Sequence, residues 1–477
     1  MQIKKNIKWV GINQVFKIVV QIVGMVVLAR IIAPKEYGVM SMALVVTVFA
    51  SIFRDLGTSA AIIQKKELDR KTINAVFWLN VFMGLSIGVV IAICSPFIAQ
   101  LFHEKRLVFI LCIISLSFPV TSLSSVHLAL LERESKFNKV AFVEMSSSAL
   151  GLVIAILMAL LGYGVYSLVA QTLISSLFST ILLWLGSDWR PMNKVSLNRD
   201  ECKNILSFSG NLTGFNIINY FSRNADSIII GHVFSPQILG AYSLAYRIML
   251  FPLQSLTFVA TRALFPVISR KQDNIHEVKD IYLKVISVIS LLVCPIMSGL
   301  AILREPFINF IMGGQWGLTS DLLLWLAPTG YIQAIVSTCG AIFMARNKAK
   351  VLFLLGVVSA ILQVGAFIVG SQLGIMYIAK FYLIANVANF LICMSVVMSL
   401  LNGNLLNILK VIYPSITASV LMSLFIIFVR ARNDFIFEYQ LITLPALGAL
   451  FYCMYIIIFH KSTLSFLKNT PGIKTHI

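Results

Sequence analysis

The sequence predicts an all-α, polytopic membrane protein. About fourteen transmembrane helices are expected, as two six-helix pseudo-repeat lobes followed by two extra C-terminal helices. Three observations carry this. The 477 residues are 58% hydrophobic and only 12% charged, with a mean hydropathy of +0.90, whereas a soluble domain carries roughly 25% charged residues. Apolar runs long enough to cross a bilayer core recur along the whole chain. One segment also returns: Leu28-Ala29-Arg30-Ile31-Ile32-Ala33-Pro34-Lys35-Glu36-Tyr37-Gly38 reappears as Ile230-Gly231-His232-Val233-Phe234-Ser235-Pro236-Gln237-Ile238-Leu239-Gly240, at a constant offset of 202 residues (Pro34 to Pro236). Duplicated membrane bundles are a common architecture of secondary transporters.

In chain order the apolar runs cover 9–33, 37–63, 73–101, 107–131, 140–162, 163–186, 205–232, 238–266, 280–303, 318–345, 350–370, 374–400, 408–430 and 439–460. Helix breakers mark the shortest hairpins, at Pro34 and at Gly162-Tyr163-Gly164. The repeat extends beyond its opening motif. Ser95-Pro96-Phe97-Ile98 in the third run parallels Glu305-Pro306-Phe307-Ile308 at the end of the ninth, and Pro119 in the fourth parallels Pro328 in the tenth. The expected organisation is therefore an N-terminal lobe at 1–190, a second lobe at 205–400, and two additional helices with a cytoplasmic tail at 401–477. Residues 187–204 read as a polar, basic linker. Two units of six crossings share one orientation, so an axis along the membrane normal should relate them.

The formal charge of +19 does not point to nucleic acid. Basic residues fall in short clusters between apolar runs, such as Lys65-Lys66 and Arg346/Lys348/Lys350, with no basic patch interleaved with aromatics. Most of them lie on one side, which places both termini in the cytoplasm by the positive-inside rule. The run after Lys8 is too long for a cleavable signal and is followed by another span. The seven cysteines form no CxxC or Cys/His cluster and read as small packing residues. No GxSxG, P-loop or HExxH is present, so no bond-making chemistry, cofactor or metal is expected. His127 and His232, inside spans or at their ends, read as buried neutral histidines.

Charges inside spans cost about 2.5–3.5 kcal/mol each and face a wet path or a partner. Gln14, Lys17, Gln21 and Gly24 share one face of the first run; Asn216, Asn219, Arg223 and Asp226 do so in the seventh, at the same offset. Arg54 and Asp55 lie near the inner end of the second run, Arg247 in the eighth and Lys380 in the twelfth. Arg30 and Arg262 sit near span ends and are expected to snorkel. Glu144, one turn into the fifth run, is expected to be solvated. Cations outnumber carboxylates, which predicts a net-positive cavity suited to an anionic group. Substrate contact is assigned to Gln14, Lys17, Gln21, Arg54, Asn216, Asn219, Arg223, Arg247 and Lys380, and ion coupling to Asp226 and Asp55.

Pro34-Lys35-Glu36-Tyr37-Gly38, followed by Phe53-Arg54-Asp55-Leu56-Gly57-Thr58-Ser59-Ala60-Ala61-Ile62-Ile63-Gln64, resembles the polysaccharide-transporter branch of the multidrug/oligosaccharidyl-lipid/polysaccharide exporter superfamily. Within it the segment is similar to bacterial O-antigen and colanic-acid repeat-unit flippases. The resemblance implies alternating access in the bacterial inner membrane and outward transfer of an undecaprenyl-diphosphate-linked oligosaccharide. It also implies H+ or Na+ coupling, and a polysaccharide polymerase and chain-length regulator as partners. In related lipid-linked precursor flippases, cavity arginines bind the diphosphate and the two extra helices form a groove for the lipid tail. Lys17 stands here where the resemblance expects a first-span cation, as lysine rather than arginine. A drug or cation exporter of the same superfamily is the first alternative; a cationic cargo would want a buried carboxylate without so many cations. A membrane-embedded polysaccharide polymerase is the second, but the longest external segment, Arg304 to Gly317, is short for an acceptor-holding loop.

Overall fold

Capping and turn residues set a few of the helix boundaries. In the computed structural model, which describes residues 2–54, 62, 69–192, 220–221, 223–253, 268, 274–432 and 437–460, Pro34 opens a helix where its missing N–H is not needed. The Asp69 carboxylate caps another by accepting from the Thr72 N–H, and Asn274 does the same for Glu277. Gly162 and Gly164 turn the chain between two antiparallel helices at φ of 83° and 55°, a backbone region that only glycine enters freely.

The described residues are helical, with no strand among them. The chain divides into two units, residues 1–240 and 241–477. The first unit holds α1 (Gln2–Ile31), α2 (Pro34–Arg54), α3 (Arg70–Leu101), α4 (Leu107–Ser115), α5 (Ser117–Arg133), α6 (Phe137–Leu160), α7 (Val165–Gly186) and α8 (223–233), and it ends within the first turns of α9 (Pro236–Pro252). The second holds the remainder of α9, then α10 (Ile275–Ile302), α11 (Arg304–Ile311), α12 (Gly317–Val336), α13 (Cys339–Ala345), α14 (Ala349–Leu373), α15 (Ile375–Leu400), α16 (Leu405–Arg432) and α17 (Phe437–Phe459).

Among the described residues, twelve helices or helix pairs are long and apolar enough to cross a membrane. They coincide with expected runs one to six and nine to fourteen. The seventh and eighth runs are described only over 220–221, 223–232 and 238–253; their other residues lie outside the described set.

Two expectations are corrected. The tenth and fourth runs keep membrane-spanning length but neither is one unbroken helix: the tenth breaks at 337–338, between α12 and α13, and the fourth at Leu116, between α4 and α5. Pro119, three residues on, has no N–H to return to the carbonyl of Ser115, so the ladder is interrupted there. The Glu305-Pro306 copy does not end the ninth helix either. Pro96 lies inside α3, whereas Pro306 lies in a separate short helix, α11, because the chain leaves α10 at Leu303.

In the first unit the two motif copies pack on each other reciprocally. A Cβ added at Gly38 would lie 1.7 Å from the Pro236 carbonyl oxygen, and one at Gly240 would lie 1.9 Å from that of Pro34. Only glycine at both positions lets the two backbones come this near. The duplicated P-x-x-x-G is therefore a packing device. Within each unit the cores are apolar, and in the second two hydroxyl pairs join helices. Tyr282 meets Thr338 at 3.0 Å and Ser290 meets Tyr331 at 2.7 Å, fixing α10 against the α12–α13 segment. His127 is fully buried, its ring 4.7 Å from Trp184 and 5.4 Å from Trp189.

Candidate functional site

α1 carries its polar residues on one stripe because Gln14, Lys17 and Gln21 are three and four positions apart. Gln14 and Gln21 are exposed; Lys17 is not alone. Its Nζ lies 2.8 Å from Oε2 of Glu144 on α6, and the Asn13 side-chain amide donates to the same oxygen at 2.5 Å. Glu144 is thus an ion-pair partner and not simply a solvated carboxylate. α1 packs along α6, with Gly24 admitting the Leu152 side chain at 3.1 Å from its would-be Cβ, and this contact sets Asn13 and Lys17 at the height of Glu144. The Lys17 side chain is 43% exposed and that of Glu144 32%, so both stay within reach of water or of an arriving anion.

Arg54 closes α2 and reaches α5. Its Nη1 donates to the Thr121 hydroxyl at 2.9 Å, and the guanidinium lies 6.0 Å from the Phe118 ring centroid. Thr121 in turn donates to the Ser117 carbonyl, so the arginine is braced by the helix that begins at the α4–α5 break. On α8, Arg223 is exposed and Asp226 is buried, with its carboxylate accepting from the Ser227 N–H at 2.6 Å. Asn216, Asn219 and Asp55 lie outside the described residues, as does Arg262.

The second unit supplies two of the expected cations. Arg247 is exposed on α9. Lys380 on α15 is half-buried between aromatic faces, its Nζ 4.9 Å from the Tyr377 ring centroid and 5.2 Å from that of Trp325 on α12.

The same unit contains a cavity of about 660 Å³. Met297, Tyr331, Phe390, Ile412, Ile416 and Val420 represent its wall, which is drawn from α10, α12, α15 and α16 and is apolar except for a few serine hydroxyls. Small-molecule sites are typically about 300–1,000 Å³. The sequence pattern did not disclose this groove, since its lining residues are indistinguishable from lipid-facing ones until the helices are packed.

A polar network at the α1–α2 turn was also hidden. The Glu36 carboxylate accepts from Arg106 Nη1 at 2.8 Å and from the Val165 N–H, at the start of α7, at 3.0 Å. Arg106 also donates to Glu104 at 3.0 Å. Burial alone would raise the Glu104 carboxyl, but the Arg106 hydrogen bonds and charge outweigh it and hold the group below its ordinary value. No group of three or more His, Cys, Asp or Glu suited to a metal occurs among the described residues.

Known proteins share this organisation. A family model described as "Polysaccharide biosynthesis protein" matches residues 27–321. The lipopolysaccharide biosynthesis protein WzxC of Escherichia coli (strain K12) is 28% identical over 392 residues, covering 80% of this chain and 78% of that protein. The teichuronic acid biosynthesis protein TuaB of Bacillus subtilis (strain 168) is 27% identical over 399 residues, covering 82% and 81%. Among solved structures, the lipid II flippase MurJ in an inward closed conformation superposes with a TM-score of 0.77 at 16% identity, over 95% of this chain and 99% of that one. That likeness concerns the fold.

Proposed function

The chain belongs to the polysaccharide biosynthesis protein family, and from that premise we propose that it is a flippase. It moves an undecaprenyl-diphosphate-linked oligosaccharide from the inner to the outer leaflet of the bacterial inner membrane by alternating access. The observation that carries this reading is the apolar groove in the second unit, one wall of which is α16, a helix beyond the second repeat. An isoprenoid tail needs such a surface; a small cationic drug does not. The names of WzxC and TuaB place those relatives in envelope polysaccharide synthesis.

In this reading Lys17 takes a phosphate oxygen of the diphosphate, and Glu144 holds the lysine in the empty carrier. Binding then exchanges one anion for another, so Lys17 is never left unpaired in a low-dielectric setting. Arg54, Arg223, Arg247 and Lys380 add positive charge along the path, while Gln14, Gln21, Asn216 and Asn219 meet the sugars. Asp226 and Asp55 carry the coupling H+ or Na+. The lobes run 1–190 and 205–400 with 401–477 appended, and both termini are cytoplasmic. With the inside negative, outward movement of about two charges gains roughly 4–5 kcal/mol per 100 mV.

The test is translocation of a lipid-linked oligosaccharide in proteoliposomes. Activity that depends on the lipid tail and falls at least about tenfold in a K17A/R247A double variant supports the reading. Export of cationic dyes with no movement of the lipid-linked sugar would replace it with the drug-exporter alternative.

A further inference from the structure

We propose that His103 and His232 form a binding site for a divalent transition metal ion of the zinc class. The two residues are far apart in sequence and belong to the same unit. His103 follows α3 at a left-handed φ of 54°, where the chain reverses toward α4. His232 lies near the end of α8, at the position that Arg30 occupies in the first motif copy. Gly231 makes their meeting possible. A Cβ there would lie 2.8 Å from the Phe102 ring, so the bare backbone rides against Phe102 and delivers the next residue beside His103.

Three features of the pair fit metal ligation. The ring centroids are 5.7 Å apart and the planes are tilted by 37°. With metal–nitrogen bonds of about 2.0–2.1 Å, two imidazoles at tetrahedral to linear angles place their centroids roughly 5–6.5 Å apart. The rings therefore stand at bridging distance already. His232 Nδ1 lies 2.7 Å from the Leu101 carbonyl oxygen, so it carries the proton and donates it. That bond orients the ring and leaves Nε2 as the lone-pair nitrogen, the arrangement found around most metal-bound histidines. Both residues are exposed, His232 contrary to its expected burial because it stands in the last turn of α8, so hydrated ions reach them and water completes the coordination.

The surroundings tolerate a dication. Glu104, the next residue after His103, and Glu36 both pair with Arg106, at 3.0 Å and 2.8 Å. These two carboxylates offset Arg106 and Lys35 locally. Imidazole pairs suit Zn²⁺, Ni²⁺, Co²⁺ and Cu²⁺ and give little affinity for Mg²⁺ or Ca²⁺.

A metal bridging these rings ties the α3–α4 turn to the helix that leads into Pro236. That is the end of the first unit where the two motif copies pack, so the ion holds that contact together. This consequence rests on the flippase reading; the binding itself does not.

The experiment is calorimetric titration of Zn²⁺ into the full-length protein in nanodiscs, with any purification tag removed. Wild type is expected to bind one equivalent, and H103N and H232N are each expected to bind about tenfold more weakly or worse. Asn at 232 keeps a donor for the Leu101 carbonyl, and unchanged melting without metal establishes that each variant folds. H276N serves as a control and should bind as wild type does. Equal affinity in wild type and either variant, or no binding to wild type at millimolar Zn²⁺, overturns the site. Zn²⁺ should also slow flipping in wild type and not in the two variants. Binding without slowing overturns the clamping role, whereas a wild type inactive even without metal counts against the flippase reading and leaves the site standing.

Discussion

Replacing Gly38 or Gly240 by alanine should be the most damaging small change in the first unit. The new methyl at position 38 would stand 1.7 Å from the Pro236 oxygen. A carbon normally keeps about 3.3 Å from a carbonyl oxygen, so the two backbones must part by roughly 1.5 Å. Position 240 is tighter in a second direction, with the Gly38 nitrogen 2.8 Å away as well as the Pro34 oxygen at 1.9 Å. The obstructing atoms are main chain and cannot rotate aside. Overpacking of this kind costs about 1–3 kcal/mol or more, against a helix-propensity gain of up to about 1 kcal/mol. A net cost near 2 kcal/mol lowers the population of the packed arrangement about thirtyfold. The double variant should cost less than the sum of the singles, because the first methyl already opens the gap. Thermal unfolding in nanodiscs reads the effect, with Gly356→Ala as control: nothing lies within 4 Å of its would-be Cβ. If G38A and G240A melt like wild type and like G356A, the reciprocal contact is not a determinant of the structure and the argument fails.

Other outcomes follow from the same geometry. Glu144→Gln should release Lys17 from its ion pair, so the lipid-linked substrate binds several-fold more tightly and leaves more slowly; a binding isotherm beside a turnover rate reads both. The folded-state value of Glu104 is depressed, so its contribution to stability is present above the unfolded value of about 4.5 and is lost as pH falls below it. The melting temperature of Glu104→Gln should therefore fall below wild type at pH 7 and converge with it in acid, once the wild-type carboxyl is protonated in the folded state as well. Ile416→Trp should fill part of the groove, raising KM for a long-tailed substrate by about tenfold and leaving a short-tailed analogue unaffected.

The helical, multi-span architecture was legible because apolar length alone dictates it: a chain in lipid must satisfy its backbone internally. The motif pair around Pro34 and Pro236 was legible as a repeat, whereas the break at Leu116 was not, because Pro119 marked only the duplication. The Lys17–Glu144 pair was not, since Glu144 lies 131 positions beyond Asn13 and meets it only through the packing of α1 on α6. Likewise, nothing local tells a groove-lining Ile416 or Val420 from any lipid-facing aliphatic residue. Glu36 was read as part of a motif, while its bonds to Arg106 and Val165 required the turn at Gly164 to bring α7 alongside.

The brace at Glu36 makes the duplicated contact unequal. One jaw, the start of α2, is bolted by a carboxylate to two neighbouring helices. At the matching position of the other jaw stands Ile238, whose side chain can accept no such bond. Kinship between the halves is thus preserved in their touching surfaces and discarded in their moorings. The second copy is secured instead through its histidine, whose Nδ1 donates to the Leu101 carbonyl at the end of α3, so one contact is held by different bonds on its two sides.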